Sequence, residues 1–171
     1  ASSSSTSPWT VKGTKIYYNS GNVGIGLKSP AFKLDVKGDI NISPGNYLRV
    51  NGISVLRVNP NSGDNNVFVG DYSDTVTSPG FRNVAVGSYA MAANQGAYNT
   101  AVGSTSLENN YFGNSNTALG EKALQKNYIG SYNAAVGSGA LQNNTNGNEN
   151  VAIGFQSCYL NAGNDNISLG Y

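Results

Sequence analysis

The chain has 171 residues, with 10 Lys and Arg against 9 Asp and Glu, no His and a single Cys. Charged residues make up 11% of it, against about 25% in a typical soluble domain. This composition excludes a Ser-His-Asp triad, a His-ligated metal and an internal disulfide, and a net charge of +1 provides no field to hold a polyanion, so no nucleic-acid partner is expected. Gly contributes 22 residues and Asn 26, a density of turn formers that predicts many short strands joined by tight corners rather than long helices. No stretch approaches the 18 or so apolar residues of a membrane span, so no membrane insertion is expected. The Ser-rich start lacks the charged and apolar parts of a signal peptide.

In chain order, residues 1–65 form a β-rich connector. After the Ser-rich leader come Trp9 and Ile16-Tyr17-Tyr18, then Asn22-Val23-Gly24-Ile25-Gly26. Phe32, Leu34 and Val36 alternate with Lys33, Asp35 and Lys37, which reads as a half-buried strand. Leu48 and Val50, Asn51-Gly52, then Ile53 and Val55 read as a hairpin with a type I′ turn. Seven of the ten basic residues lie here, spaced singly, as on a solvated face. The turn-rich stretch at 59–65 marks the boundary with a second region, 66–171.

That second region is a repeat. The pentapeptide Asn-x-small-aliphatic-Gly occurs seven times, with Phe68 at the small position of the first, beginning at Asn66, Asn83, Asn99, Asn116, Asn133, Asn150 and Asn166, and the closing glycines are spaced 17, 16, 17, 17, 17 and 16 residues apart. Four residues after the glycine stands Met91, Leu107, Leu124, Leu141 or Cys158. Seven after it stands Asn94, Asn110, Asn127, Asn144 or Asn161. The first unit has Asp74 at the aliphatic position and reads as an atypical cap. A period of 16–17 suits one coil of a parallel β-solenoid, and the expected fold is all-β with about seven coils of two strands and two corners each. The alternation within the pentapeptide assigns Val86, Val102, Leu119, Val136 and Ile153 to the core. The small residue between them then points the other way, and its restriction to Ala or Ser suggests close approach of a neighbouring chain. The segment Ala-Leu-x-x-Asn fits either a second strand or a short helical turn, with the tight bracketing by Gly and Asn favouring strand. Asn83, Asn99, Asn116, Asn133 and Asn150, and the second set at Asn94, Asn110, Asn127, Asn144 and Asn161, are expected to stack into structural ladders of side-chain amides.

The string Gly21-Asn22-Val23-Gly24-Ile25-Gly26, with Pro30 and Lys33-Leu34-Asp35-Val36-Lys37-Gly38, resembles shaft segments of bacteriophage and large-virus tail fibres. Such segments often precede a self-cleaving chaperone domain. The array resembles fibre stalk repeats and, more loosely, the heads of trimeric autotransporter adhesins. The resemblance implies a homotrimer, an extended shape, a location on a virion or cell surface, and a spacer or attachment role. The chain stops within a repeat at Gly170-Tyr171, as a fragment or processed product would.

Signals for chemistry are weak. The array's acids, Asp71, Asp74, Glu108, Glu121, Glu149 and Asp165, fall at different offsets from the closing glycine, so stacking does not pair them as a polysaccharide-cutting tailspike requires. The recurrent residue is Asn rather than Asp, so no metal is expected, and Gly24-Ile25-Gly26 lacks the helix and Lys of a phosphate loop. No cofactor and no catalytic residue is assigned. Three sequons begin at Asn41, Asn143 and Asn166, the last on a ladder position. Cys158 sits in the Leu slot and reads as a small core residue. Tyr111, Tyr128 and Tyr132 lie outside the aliphatic slots, where two readings stand: contacts to a cell-surface glycan, as in an adhesin, or packing between chains.

Overall fold

The computed structural model describes residues 10–12, 15–17, 21–40, 47–51, 53–57, 65–73, 80–160 and 163–171. Trp9, Tyr18, Asp74, Asn161 and the sequon at Asn41 lie outside these residues. The strands are β1 (Thr10–Lys12), β2 (Lys15–Tyr17), β3 (Val23–Ile25), β4 (Leu34–Val36), β5 (Tyr47–Val50), β6 (Ile53–Arg57), β7 (Val67–Val69), β8 (Val84–Val86), β9 (Thr100–Val102), β10 (Thr117–Leu119), β11 (Ala134–Val136), β12 (Val151–Ile153) and β13 (Ile167–Leu169). No helix occurs among the described residues.

Two compact units result, 1–41 and 42–171. In the first, β1 and β2 pair antiparallel and β3 and β4 pair parallel. The second is a nine-stranded sheet in which β7 to β13 are parallel and in sequence order. These seven strands bound six turns of a parallel β-solenoid. The hairpin β5–β6 adds to the outer edge of β7 in antiparallel sense, so it belongs to the array's unit. The compositional change near residue 65 is therefore not the boundary between compact units. Asn51, at the head of the hairpin turn, has φ 50°, as a type I′ turn requires.

Each pentapeptide stacks residue for residue on the next: Thr117 on Ala134, Ala118 on Ala135, Leu119 on Val136. The columns expected from the repeat are present, but the inward face is the opposite one. Val86, Val102, Leu119, Val136 and Ile153 are 36–46% exposed and are not the core. The inward residues are Ala85, Ala101, Ala118, Ala135 and Ala152, all fully buried, with Phe68 in that position on the leading strand. The opposite wall of the same coil explains this. Met91, Leu107, Leu124 and Leu141, with Ala90, Ser106, Ala123 and Ala140 beside them, fill the interior from that side. Only a methyl group's depth remains across from them, and close-packed interiors do not tolerate excess volume. The small residue is thus dictated by the coil's own far wall, and no neighbouring chain is needed to account for it.

The Ala-Leu segment is neither strand nor helix, so each coil has one strand rather than two. In the coil after Gly120, overlapping turns close through Ala123 N–H to Gly120 O, Gln125 N–H to Lys122 O and Asn127 N–H to Leu124 O, each 3.2 Å. Lys122 and Leu124 have φ of 58° and 50°, and the equivalent residues of the other described coils are left-handed as well. Left-handed backbone is uncommon for bulky residues. Here it turns alternate N–H groups along the solenoid axis. Lys122 N–H donates to Ser104 O of the preceding coil, while Leu124 N–H and Lys126 N–H donate to Ala140 O and Gln142 O of the following one. All six N–H groups from Lys122 to Asn127 are paired, which is what a buried backbone demands.

Candidate functional site

The side chains singled out by their periodicity converge on one corner of the coil. Asn83, Asn99, Asn116, Asn133 and Asn150 are buried just before the strands. The Asn116 side-chain oxygen accepts the Asn133 backbone N–H at 3.0 Å and its side-chain amide at 3.1 Å, while Asn116 Nδ2 donates to Gly130 O at 2.9 Å. Asn94, Asn110, Asn127 and Asn144 form a second buried column, Asn127 Nδ2 donating to Asn110 Oδ1 at 2.8 Å and Asn144 Nδ2 to Asn127 Oδ1 at 3.0 Å. The two columns share an acceptor. Gly130 O receives Asn116 Nδ2 and, at 2.7 Å, Asn127 Nδ2; Gly147 O receives Asn133 and Asn144 in the same way. The arrangement requires glycine there, because a Cβ on Gly130 would collide with the Gly147 carbonyl and the Asn127 amide. With their amides committed to one another and to backbone, these asparagines hold coils together.

Two further columns on the outside went unnoticed in the sequence. Gln125 Nε2 donates to Glu108 Oε2 at 2.7 Å, and Gln142 Nε2 donates to Gln125 Oε1 at 2.9 Å. Two residues before Asn116, Asn133, Asn150 and Asn166, a side-chain oxygen accepts a backbone N–H from the preceding coil: Asn114 from Ala97, Ser131 from Asn114, Asn148 from Ser131 and Asn164 from Asn148. Counting offsets from the closing glycine finds the first column, and counting back from the strand-leading Asn finds the second.

The aromatic residues also pair along the stack. Tyr72 and Tyr89 lie face to face at 4.9 Å, Phe81 meets Tyr98 edge-on at 5.2 Å, and Phe155 stacks on Tyr171 at 5.8 Å. Tyr111 and Tyr128 come together at 5.5 Å with a 47° tilt. Tyr132 belongs to a different column, directly before Asn133, and is 64% exposed. Arg82 donates to Tyr98 Oη at 2.9 Å with its guanidinium 5.4 Å from the ring centre. The rings of Tyr111 and Tyr128 thus contact each other within one chain.

The acids stay dispersed. Glu108 lies in the outer amide column, and Glu121 pairs with the adjacent Lys122 at 2.8 Å, a hydrogen bond and charge that hold the exposed ammonium above its usual pKa. No group of three His, Cys, Asp or Glu able to hold a metal occurs among the described residues. Cys158 is a half-buried free thiol with φ 53°, in the slot that leucine fills elsewhere. Asn166 Nδ2 donates to Asn150 Oδ1 at 2.8 Å, placing that sequon within the first ladder. Among the described residues no helix is long and apolar enough to cross a membrane.

Geometry and sequence together define a class, the parallel β-solenoids with asparagine ladders. No protein-family model matches the chain, and neither does any curated protein or solved structure with which it was compared.

Proposed function

We propose that this chain is a structural segment of a homotrimeric surface-attachment fibre, carried on a virion tail or an extracellular appendage and acting as a stiff spacer. The supporting observation is the unbroken stack from β7 to β13, in which the same side chains make the same bonds in coil after coil. Seven strands about 4.8 Å apart set the first and last about 29 Å from one another, and every coil is bonded to the next through backbone and side chain. Bending such a column means breaking several hydrogen bonds at once. The function is mechanical and non-enzymatic in this reading, since the array's acids stand at unrelated offsets.

An adhesin head that binds glycan through Tyr111 and Tyr128 is the competing reading. The 47° tilt between those rings deprives a sugar of a shared flat platform, so the spacer is favoured. Sedimentation equilibrium and small-angle scattering test the proposal. A mass three times the 17.8 kDa chain with an elongated profile is expected, and a compact particle of single-chain mass would overturn it.

A further inference from the structure

Packing within the chain leaves the outward face of the strands unexplained. That face carries two columns, the x position and the aliphatic position of each pentapeptide. The aliphatic column is Val, Leu or Ile in all seven pentapeptides, although its side chains point away from the interior. Nothing in the coil imposes this. The neighbouring column before each Asn is also outward and ranges over Arg82, Tyr98, Ser115 and Glu149. An outward position held apolar beside one that varies freely is under a constraint from outside the chain.

We propose that this face is where copies of the chain meet, with the aliphatic columns turned toward a common axis. The inference rests on the trimeric-fibre reading and names its contact surface. An identical chain is the occupant that fits. To cover the stripe along its whole length, a partner must present apolar groups at strand spacing, about 4.8 Å, and a second copy carries that same repeat. β-branched side chains on facing sheets interdigitate at about 10 Å separation. Neither column contains a charged residue, so burial leaves no ion without a counter-ion. The charges lie on the flanks, at Arg82, Glu121 and Glu149, giving an apolar centre with a polar rim. With one flanking row on each side the face measures about 34 Å by 20 Å, roughly 700 Å² per chain, shared between its two neighbours and amounting to about 2,100 Å² over three chains.

The test is sedimentation equilibrium of the full chain and of a Leu119→Lys/Val136→Lys variant, with circular dichroism as the check on folding. Both substitutions point outward and leave Ala118, Ala135 and Leu124 in place. The expected result is three chains for the parent, one chain for the variant with its strand signal retained, and self-association weakened at least 100-fold. Three chains for both proteins would overturn the assignment of this face while leaving the fibre reading intact. A single chain for the parent would overturn both. Should the variant fail to fold, Val136→Cys in a Cys158→Ser background decides the matter. A short bismaleimide is expected to join chains through the introduced thiol, and its failure to do so would overturn the proposed face.

Discussion

The same pentapeptide occurs in both units of the molecule, with different results. In the array, Asn-x-small-aliphatic-Gly lies inside a stack, its Asn and small residue buried. In the first unit, Asn22-Val23-Gly24-Ile25-Gly26 also forms a strand and pairs in parallel with β4, yet no described residue from 21 to 40 is buried. Asn22 donates to Pro30 O, an exposed bond within its own segment rather than a rung between coils. The local conformation is therefore written into the motif, while burial arises only where one coil lies on another. This is the nearest-neighbour behaviour expected of a solenoid.

The sharpest way to break the comparison is at the closing glycine. Gly120 has φ 136°, and a Cβ there would stand 2.6 Å from the Gly137 carbonyl carbon and oxygen. Gly26 has φ 74°, and a Cβ would meet Lys37 O at 3.2 Å. Gly120→Val combines a glycine-only backbone with a collision between coils, and should destabilise the array by about 4 kcal/mol. Gly26→Ala should cost about 1 kcal/mol, the strain of the left-handed backbone. Urea unfolding of the two variants measures the difference, and equal losses would mean that stacking is not what separates the units.

The ladder asparagine gives a smaller contrast. Asn116→Ala removes the acceptor of the Asn133 backbone N–H and leaves that group buried and unpaired. The expected loss is about 2–3 kcal/mol, and about 0.5 kcal/mol or less for exposed Asn22→Ala. Hydrogen exchange adds a local readout. Protection at Asn133 should fall first, with coils two removed from it little changed.

These contrasts also mark how far the sequence could be read. The period, the parallel register and the asparagine columns follow from counting residues, because stacking makes chemically equivalent positions recur. The facing of the strand does not follow. A three-residue strand presents one residue on one side and two on the other, and hydrophobicity alone turns Val102 and Leu119 inward. What turns Ala101 and Ala118 inward instead is the volume of Leu107 and Leu124 on the opposite wall, a tertiary quantity. The turn segment was hidden for a related reason. Leucine with φ near 50° has no signature in the sequence, and the conformation persists because it directs N–H groups to the adjacent coils. The outer column Glu108, Gln125 and Gln142 was readable, since all three stand five residues after a closing glycine.

That outer column offers the mildest test. Gln125 connects Glu108 to Gln142 through bonds of 2.7 and 2.9 Å, and all three residues are half-buried. Gln125→Ala breaks two rungs, but water can reach the groups left behind, so the loss should be about 0.5–1 kcal/mol. For a chain of this size that is a drop in Tm of roughly 1–4 °C, measurable by calorimetry. If the fall matched that of Asn116→Ala, surface rungs would be holding coils together as firmly as buried ones, and desolvation would cease to explain why the interior ladder matters. A small fall places the difference between the two columns in burial, because the amide-to-acceptor chemistry is nearly the same in both.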